Sequence, residues 1–164
     1  LPEAQRTLVD GKVPVSATML PWPQVCQNAL NYELAAQFET LLAVKETVNQ
    51  ALEVPRSEGH IGKSLEAQVF IQPTEEATRA VLSRLTVAEQ EVLFNVSTVN
   101  LVDAAPSLDV NQWHTQAAGG GATVYAAPAV QAKCVRCWKA EPTVGQMPGH
   151  SQICERCYQA VKTS

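Results

Sequence analysis

Aromatic and histidine side chains are scarce here: 164 residues carry 3 Trp, 3 Tyr, 3 Phe and 3 His. His60, His114 and His150 stand in no nucleophile elbow, metal-hydrolase helix pattern or paired-carboxylate setting, which argues against catalysis by this chain. Basic charge is short as well, with 12 Lys and Arg against 16 Asp and Glu and a net charge of −4. That balance argues against a general nucleic-acid binder held by electrostatics alone, because neutralising phosphate needs clustered cations. No apolar run approaches the ~20 residues that span a bilayer, and no signal-peptide pattern opens the chain. The first residue is Leu1 and not Met, which predicts a longer precursor from which any targeting segment is already gone. What remains is ample apolar material, 46% hydrophobic against 17% charged residues, and length enough for one ordinary domain or a small domain with an appended module.

Three regions are expected: an extended, proline-rich arm over residues 1–23 with a short strand near Val13–Met19, a helix plus small α+β domain over 24–132, and a cysteine-bearing tail over 133–164. From about Gln24 to Val54, Leu30, Leu34, Phe38, Leu41, Leu42, Val48 and Leu52 form a single apolar stripe on a long helix, a core or partner surface. Pro55 is expected to end it. A turn at Gly59–Gly62 precedes a strand at Ala67–Ile71. A helix capped by Thr74 follows and runs to about Leu85. Thr86 and Glu89 spell a capping box. A strand is expected around Ser97–Val102, and Thr123–Ala127 with Ala129–Ala132 make a last strand leading into the cysteines, with Ala104–Gly121 a loop. The fold class is α+β: a long N-terminal helix, a small mixed β-sheet with one or two helices, and a C-terminal four-cysteine knuckle.

Four of the five cysteines fall as Cys134-x2-Cys137-x16-Cys154-x2-Cys157. Each C-x-x-C turns two thiolates toward one point, and two such knuckles close a tetrahedral S₄ shell around Zn²⁺. Two disulfides or an iron–sulfur cluster are the other chemistries this spacing permits, and the double knuckle favours zinc. A shell filled by four cysteines has no open position, so the zinc would be structural. His150 is expected to be a loop histidine and Cys26 a buried apolar residue. The cluster suits a reduced or metal-supplied compartment better than secretion. Around it, Lys133, Arg136, Lys139, Arg156 and Lys162 outnumber Glu141 and Glu155, a basic tail on an acidic body.

Ser57 to Val69 read SEGHIGKSLEAQV, close to two nucleotide signatures. A phosphate loop, however, needs a strand feeding its glycines and a helix leaving them, and Ser57 stands where the first glycine belongs. Here a helix arrives and a strand leaves. His60-Ile-Gly-Lys63 likewise lacks the second histidine of the His-Ile-Gly-His ATP signature. The stretch is therefore expected to be a structural turn, with Gly62 supplying a backbone geometry that Cβ would hinder.

Taken together, LLAVKETVNQALEVPR (41–56), IGKSLEA (61–67), the KC-x-RCW entry at Lys133–Trp138 and the C-x-RC exit at Cys154–Cys157 closely resemble the C-terminal region of bacterial-type isoleucyl-tRNA synthetase, from about Trp22 to the end and without its catalytic core. Lys45 stands where that family commonly has Arg, and Pro55 interrupts its LE…R segment. A second likeness, Pro2-Glu3 with a four-cysteine finger as in formamidopyrimidine-type DNA glycosylases, is coincidental: Leu1 acylates the proline nitrogen that their chemistry uses.

The synthetase resemblance implies a non-catalytic, zinc-stabilised module that contacts tRNA or other structured RNA. Lys133, Arg136, Trp138, Lys139 and Arg156 are the candidate contacts, because aromatics stack on bases and cations meet phosphate. The alternative is a structural accessory subunit of a larger organellar assembly such as a ribosome, held mainly by protein contacts. The bacterial type points to a mitochondrion or chloroplast, otherwise the cytoplasm.

Overall fold

A computed structural model describes residues 26, 29–107 and 114–162. The expected N-terminal arm, its strand near Val13–Met19 and part of the 104–121 loop lie outside the described residues. The chain divides into two compact units, Leu1–Tyr32 and Glu33–Ser164. Of the first, Cys26 is exposed, not buried as expected, and its carbonyl accepts the Ala29 amide at 3.0 Å.

The second unit is built on a long helix, α1 (Tyr32–Ser57), which starts later than the apolar periodicity predicts. Asn31, a residue type favoured at N-caps, precedes it. Pro55 does not end the helix; it sits buried in the last turn. Termination comes from Gly59 at φ +77, with the His60 amide bonding the Pro55 carbonyl and the Gly59 amide the Arg56 carbonyl. This Schellman arrangement needs the left-handed residue that glycine supplies. The expected stripe also divides. Leu41, Val44, Val48, Ala51 and Leu52 enter the core, whereas Leu34, Phe38 and Leu42 are about half exposed.

The sheet has four strands in the order β2-β1-β4-β3: β1 (Ala67–Pro73), β2 (Thr98–Leu101), β3 (Thr115–Gly119) and β4 (Ala122–Pro128). β1 pairs parallel with β2 and antiparallel with β4, so the sheet is mixed. Helices α2 (Glu76–Leu82) and α3 (Val87–Phe94) connect β1 to β2. Alternate residues Val69, Ile71, Val99, Val124 and Ala126 meet α1, Leu82 and Phe94 in one core. Each Val, Leu, Ile or Phe fully buried there contributes roughly 1.5–3 kcal/mol.

Three boundaries differ from expectation for identifiable reasons. α2 has Glu75, not Thr74, at its N-cap position, because the Thr74 and Glu75 amides both bond the Gly121 carbonyl, and it stops at Leu82, short of Leu85. β3 lies inside the expected loop; it pairs with β4 across Gly120 and Gly121, both at positive φ, a two-residue hairpin of the primed type. Ala129–Ala132 is not a strand, although an isolated bridge joins Lys133 to Ala140 just beyond it. The Thr86 capping box of α3 is present, with Glu89 Oε2 accepting the Thr86 amide at 2.8 Å.

Candidate metal centre and its docking to the body

The tail folds as two knuckles followed by α4 (Glu155–Lys162). The Cys134 amide bonds the Lys139 carbonyl and the Trp138 amide the Cys134 carbonyl, reversing the chain tightly around the first cysteine pair. Trp138 makes the reversal possible with φ +67. For a residue with a side chain that conformation costs on the order of 1–2 kcal/mol, so the surrounding contacts must hold it.

The Sγ atoms of Cys134, Cys137, Cys154 and Cys157 all lie within 4.8 Å of one another. Cys137 and Cys154 are 3.8 Å apart, far beyond a disulfide bond of ~2.05 Å. A tetrahedron with Zn–S ~2.3 Å has an edge of ~3.8 Å, so the thiolates fit zinc as they stand. Cys134, Cys154 and Cys157 are buried and Cys137 is half-buried. Burial raises the Cys134 pKa, yet the amides of Cys137, Cys154 and Arg136 pointing at its sulfur draw it down to about 6. Cys154 is pushed up to about 12, first by burial and then by the surrounding thiols. Four thiols so crowded cannot all ionise unaided, and a divalent cation removes that conflict. Zinc bound here supplies a structural cross-link. Arg156 adds charge compensation: its guanidinium donates to Cys137, which raises its own pKa. His150 lies in a loop with its ring 5.6 Å from Tyr158 and is not among the clustered ligand atoms.

The finger is docked to the body by side chains of both. The Lys133 ammonium meets Glu66, whose carboxylate also accepts the Gly62 amide at 2.7 Å. Lys133 chiefly, then Gly62, holds the Glu66 carboxyl below the usual range. Lys139 bridges Glu91 at 2.6 Å and Glu141 at 2.8 Å. Burial lowers the Lys139 pKa, and the two carboxylates more than offset this, so the net shift is upward. Between these pairs the buried Ser97 hydroxyl accepts the Ala140 amide at 2.6 Å and donates to the Leu65 carbonyl. Finally, the Lys63 ammonium lies 3.5 Å from the Trp138 ring centroid, worth about 0.5–1 kcal/mol at an exposed site.

The IGKSLEA turn is thus the platform on which the finger rests. It is a single 3-10 turn at Ser64–Glu66 after the helix and before β1. The left-handed glycine of this region is Gly59, not Gly62; at Gly62 an added Cβ would come within 3.3 Å of Glu66 Oε2.

The five cationic and aromatic candidates separate into two sets. Lys133 and Lys139 are engaged by body carboxylates. Arg136, Trp138 and Arg156 are exposed, and among the described residues no carboxylate pairs with either arginine. The sequence reading missed Lys63, Glu66 and Ser97. IGKSLEA signalled the first two as a block without a role, and nothing in the sequence points to Ser97.

A closed four-thiolate knuckle seated on a small α+β body defines a zinc-finger module with a structural metal. Residues 132–160 match the family model described as "Zinc finger found in FPG and IleRS". The chain is similar to the isoleucine–tRNA ligase of Brachyspira hyodysenteriae, 35% identical over 141 residues, covering 86% of this chain and 14% of that protein. It is similar also to that of Nostoc sp., 34% identical over 146 residues (85% and 15%), and of Moorella thermoacetica, 31% over 157 residues (91% and 16%). The resemblance to the C-terminal region of isoleucyl-tRNA synthetases therefore extends beyond the motifs to most of this chain, which spans about a seventh of those relatives. The match falls on a small part of those enzymes and not on their catalytic core. No described helix is long and apolar enough to cross a membrane.

Proposed function

We propose that this chain is a non-catalytic, zinc-stabilised module that binds structured RNA, with tRNA as the first candidate. The observation that carries the reading is the exposed edge of Arg136 and Trp138. The indole is 47% exposed on a backbone reversal held by the metal knuckle, two residues along from Arg136, which is exposed and has no carboxylate partner among the described residues. An exposed aromatic ring and an exposed arginine on one knuckle suit base stacking with phosphate contact. The relatives are named as ligases of isoleucine and tRNA, which makes tRNA the ligand to test first. Lys133 and Lys139 are better read as docking residues.

The test is binding of the zinc-loaded chain to an isoleucine tRNA transcript by fluorescence anisotropy. Binding should weaken at least tenfold in Arg136→Ala/Trp138→Ala, with zinc content and melting temperature retained. Equal affinity of the double variant and the parent would sink the reading.

A second reading, a structural subunit held by protein contacts in a larger, organellar assembly, draws on a different surface. Phe38, Leu41, Leu85, Val92 and Leu93 line an apolar groove of about 430 Å³, and Val92 is 80% exposed. Co-sedimentation of the chain with a large particle after ribonuclease treatment would favour it over RNA contact.

A further inference from the structure

We propose that Lys63, outside the finger, is a phosphate-binding residue of the same surface, forming with Trp138 a composite site for one nucleotide of single-stranded RNA. The inference rests on the RNA reading above and extends it to a residue of the body.

The cations around the IGKSLEA turn are not equivalent. Arg56 pairs with Glu53 and donates to Ser64, His60 faces Glu58 at 3.4 Å, and Lys133 is held by Glu66. Lys63 is exposed, and among the described residues no carboxylate pairs with it. Its ammonium rests on the indole at 3.5 Å. A strongly hydrated lysine gains little from lying over an exposed ring and gains more from a phosphate.

Trp138 supplies the second half. Almost half of its surface stays open while Lys63 covers one side of the ring. A base stacked on the open side brings its phosphodiester within the sweep of a four-carbon side chain whose backbone is fixed. Glu66 does that fixing, since its carboxylate accepts the Gly62 amide at 2.7 Å and the Lys63 amide at 3.4 Å. A left-handed backbone at a bulky aromatic is the kind of strain found at binding sites. Here it orients the ring toward the turn. Duplex RNA keeps its bases stacked inside and offers no face to the indole, so the site selects single strands.

The test uses the zinc-loaded chain and a fluorescein-labelled RNA hairpin with a seven-nucleotide loop, titrated at several salt concentrations. Removing one phosphate contact from a single strand makes the log K against log[salt] slope shallower by about 0.7, equivalent to about fivefold in affinity at 0.1 M salt. Lys63→Gln should show both changes with zinc content and melting temperature intact, and Lys63→Arg should restore the slope. If the parent chain binds and Lys63→Gln matches it in affinity and slope, this inference fails while the RNA reading stands. Weaker binding at an unchanged slope overturns the phosphate assignment and leaves Lys63 as a support for the ring. If the parent chain does not bind the hairpin or tRNA, the RNA reading itself fails.

Discussion

The Ser97 hydroxyl accepts the amide of Ala140 at 2.6 Å, joining the start of β2 to the first knuckle of the finger. Ala140 is 5% exposed and Ser97 2%, so the bond is largely shielded from solvent. Ser97→Ala leaves a buried N–H and the Leu65 carbonyl without this partner. A buried donor left unmade costs about 1–3 kcal/mol. Chemical denaturation should show a loss in that range, with zinc stoichiometry unchanged because no ligand is touched.

Zinc contributes folding free energy directly in a site of this kind. Cys154→Ser should release the metal and expose the tail to protease. The sheet and α1 have their own core, so the far-ultraviolet dichroism of the body should largely persist. Full metal content together with protease resistance in that variant would overturn the assignment.

Glu66 carries a pH signature. Its pKa is lowered in the fold, so its contribution to docking is complete above the pKa of a free glutamate, near 4.3. It is lost as pH falls through the lowered folded value. The Gly62 amide resonance, which reports on the carboxylate through its 2.7 Å bond, should titrate with a midpoint below that of free glutamate. In Glu66→Gln the titration should vanish. A midpoint above 4.5 would contradict the Lys133 pairing.

Lys139 and Arg136 should respond oppositely. Lys139→Met leaves Glu91 and Glu141 facing each other half-buried. Removing one partner of a fully buried pair costs about 3–5 kcal/mol, and partial exposure here reduces that to roughly 1–2 kcal/mol. Arg136→Ala should leave stability within about 0.5 kcal/mol, as expected of an exposed position, and weaken RNA. Thermal melts and anisotropy on the two variants separate docking from binding.

Gly120→Ala tests the hairpin tip. At φ +58, a Cβ would stand 2.6 Å from the Ala43 carbonyl carbon on α1. Backbone cannot move aside cheaply, so the loss should exceed about 1 kcal/mol, read as a lower denaturation midpoint.

Local chemistry was legible in the sequence wherever it was self-contained. The cysteine spacing located the metal centre because a C-x-x-C turn needs no distant partner, and the Thr86–Glu89 box marked a helix start on the same ground. β3 was not legible, because Thr115-Gln-Ala-Ala-Gly119 has low strand propensity and is held by its register with β4. Lys133 and Lys139 were readable as cations of the finger but not as docking residues, since Glu66 and Glu91 lie 67 and 48 positions away. The late start of α1 shows apolar spacing outrunning the helix. Pro55 shows the converse: it forfeits the amide bond to the Ala51 carbonyl, yet the helix runs on, and its own carbonyl accepts the His60 amide of the Schellman end.

The strand order β2-β1-β4-β3 has a bearing on biosynthesis. A ribosome delivers β1 and β2 with both connecting helices before the strand that fills the other side of β1 has been translated. β4 closes the sheet only after residue 128 emerges, and its pairing with β1 spans a long loop, the slow kind of contact. Leu65, Glu66 and Ser97, which carry docking contacts, are all translated before any cysteine of the finger. Zinc capture by the finger therefore comes after synthesis of the surface on which it docks.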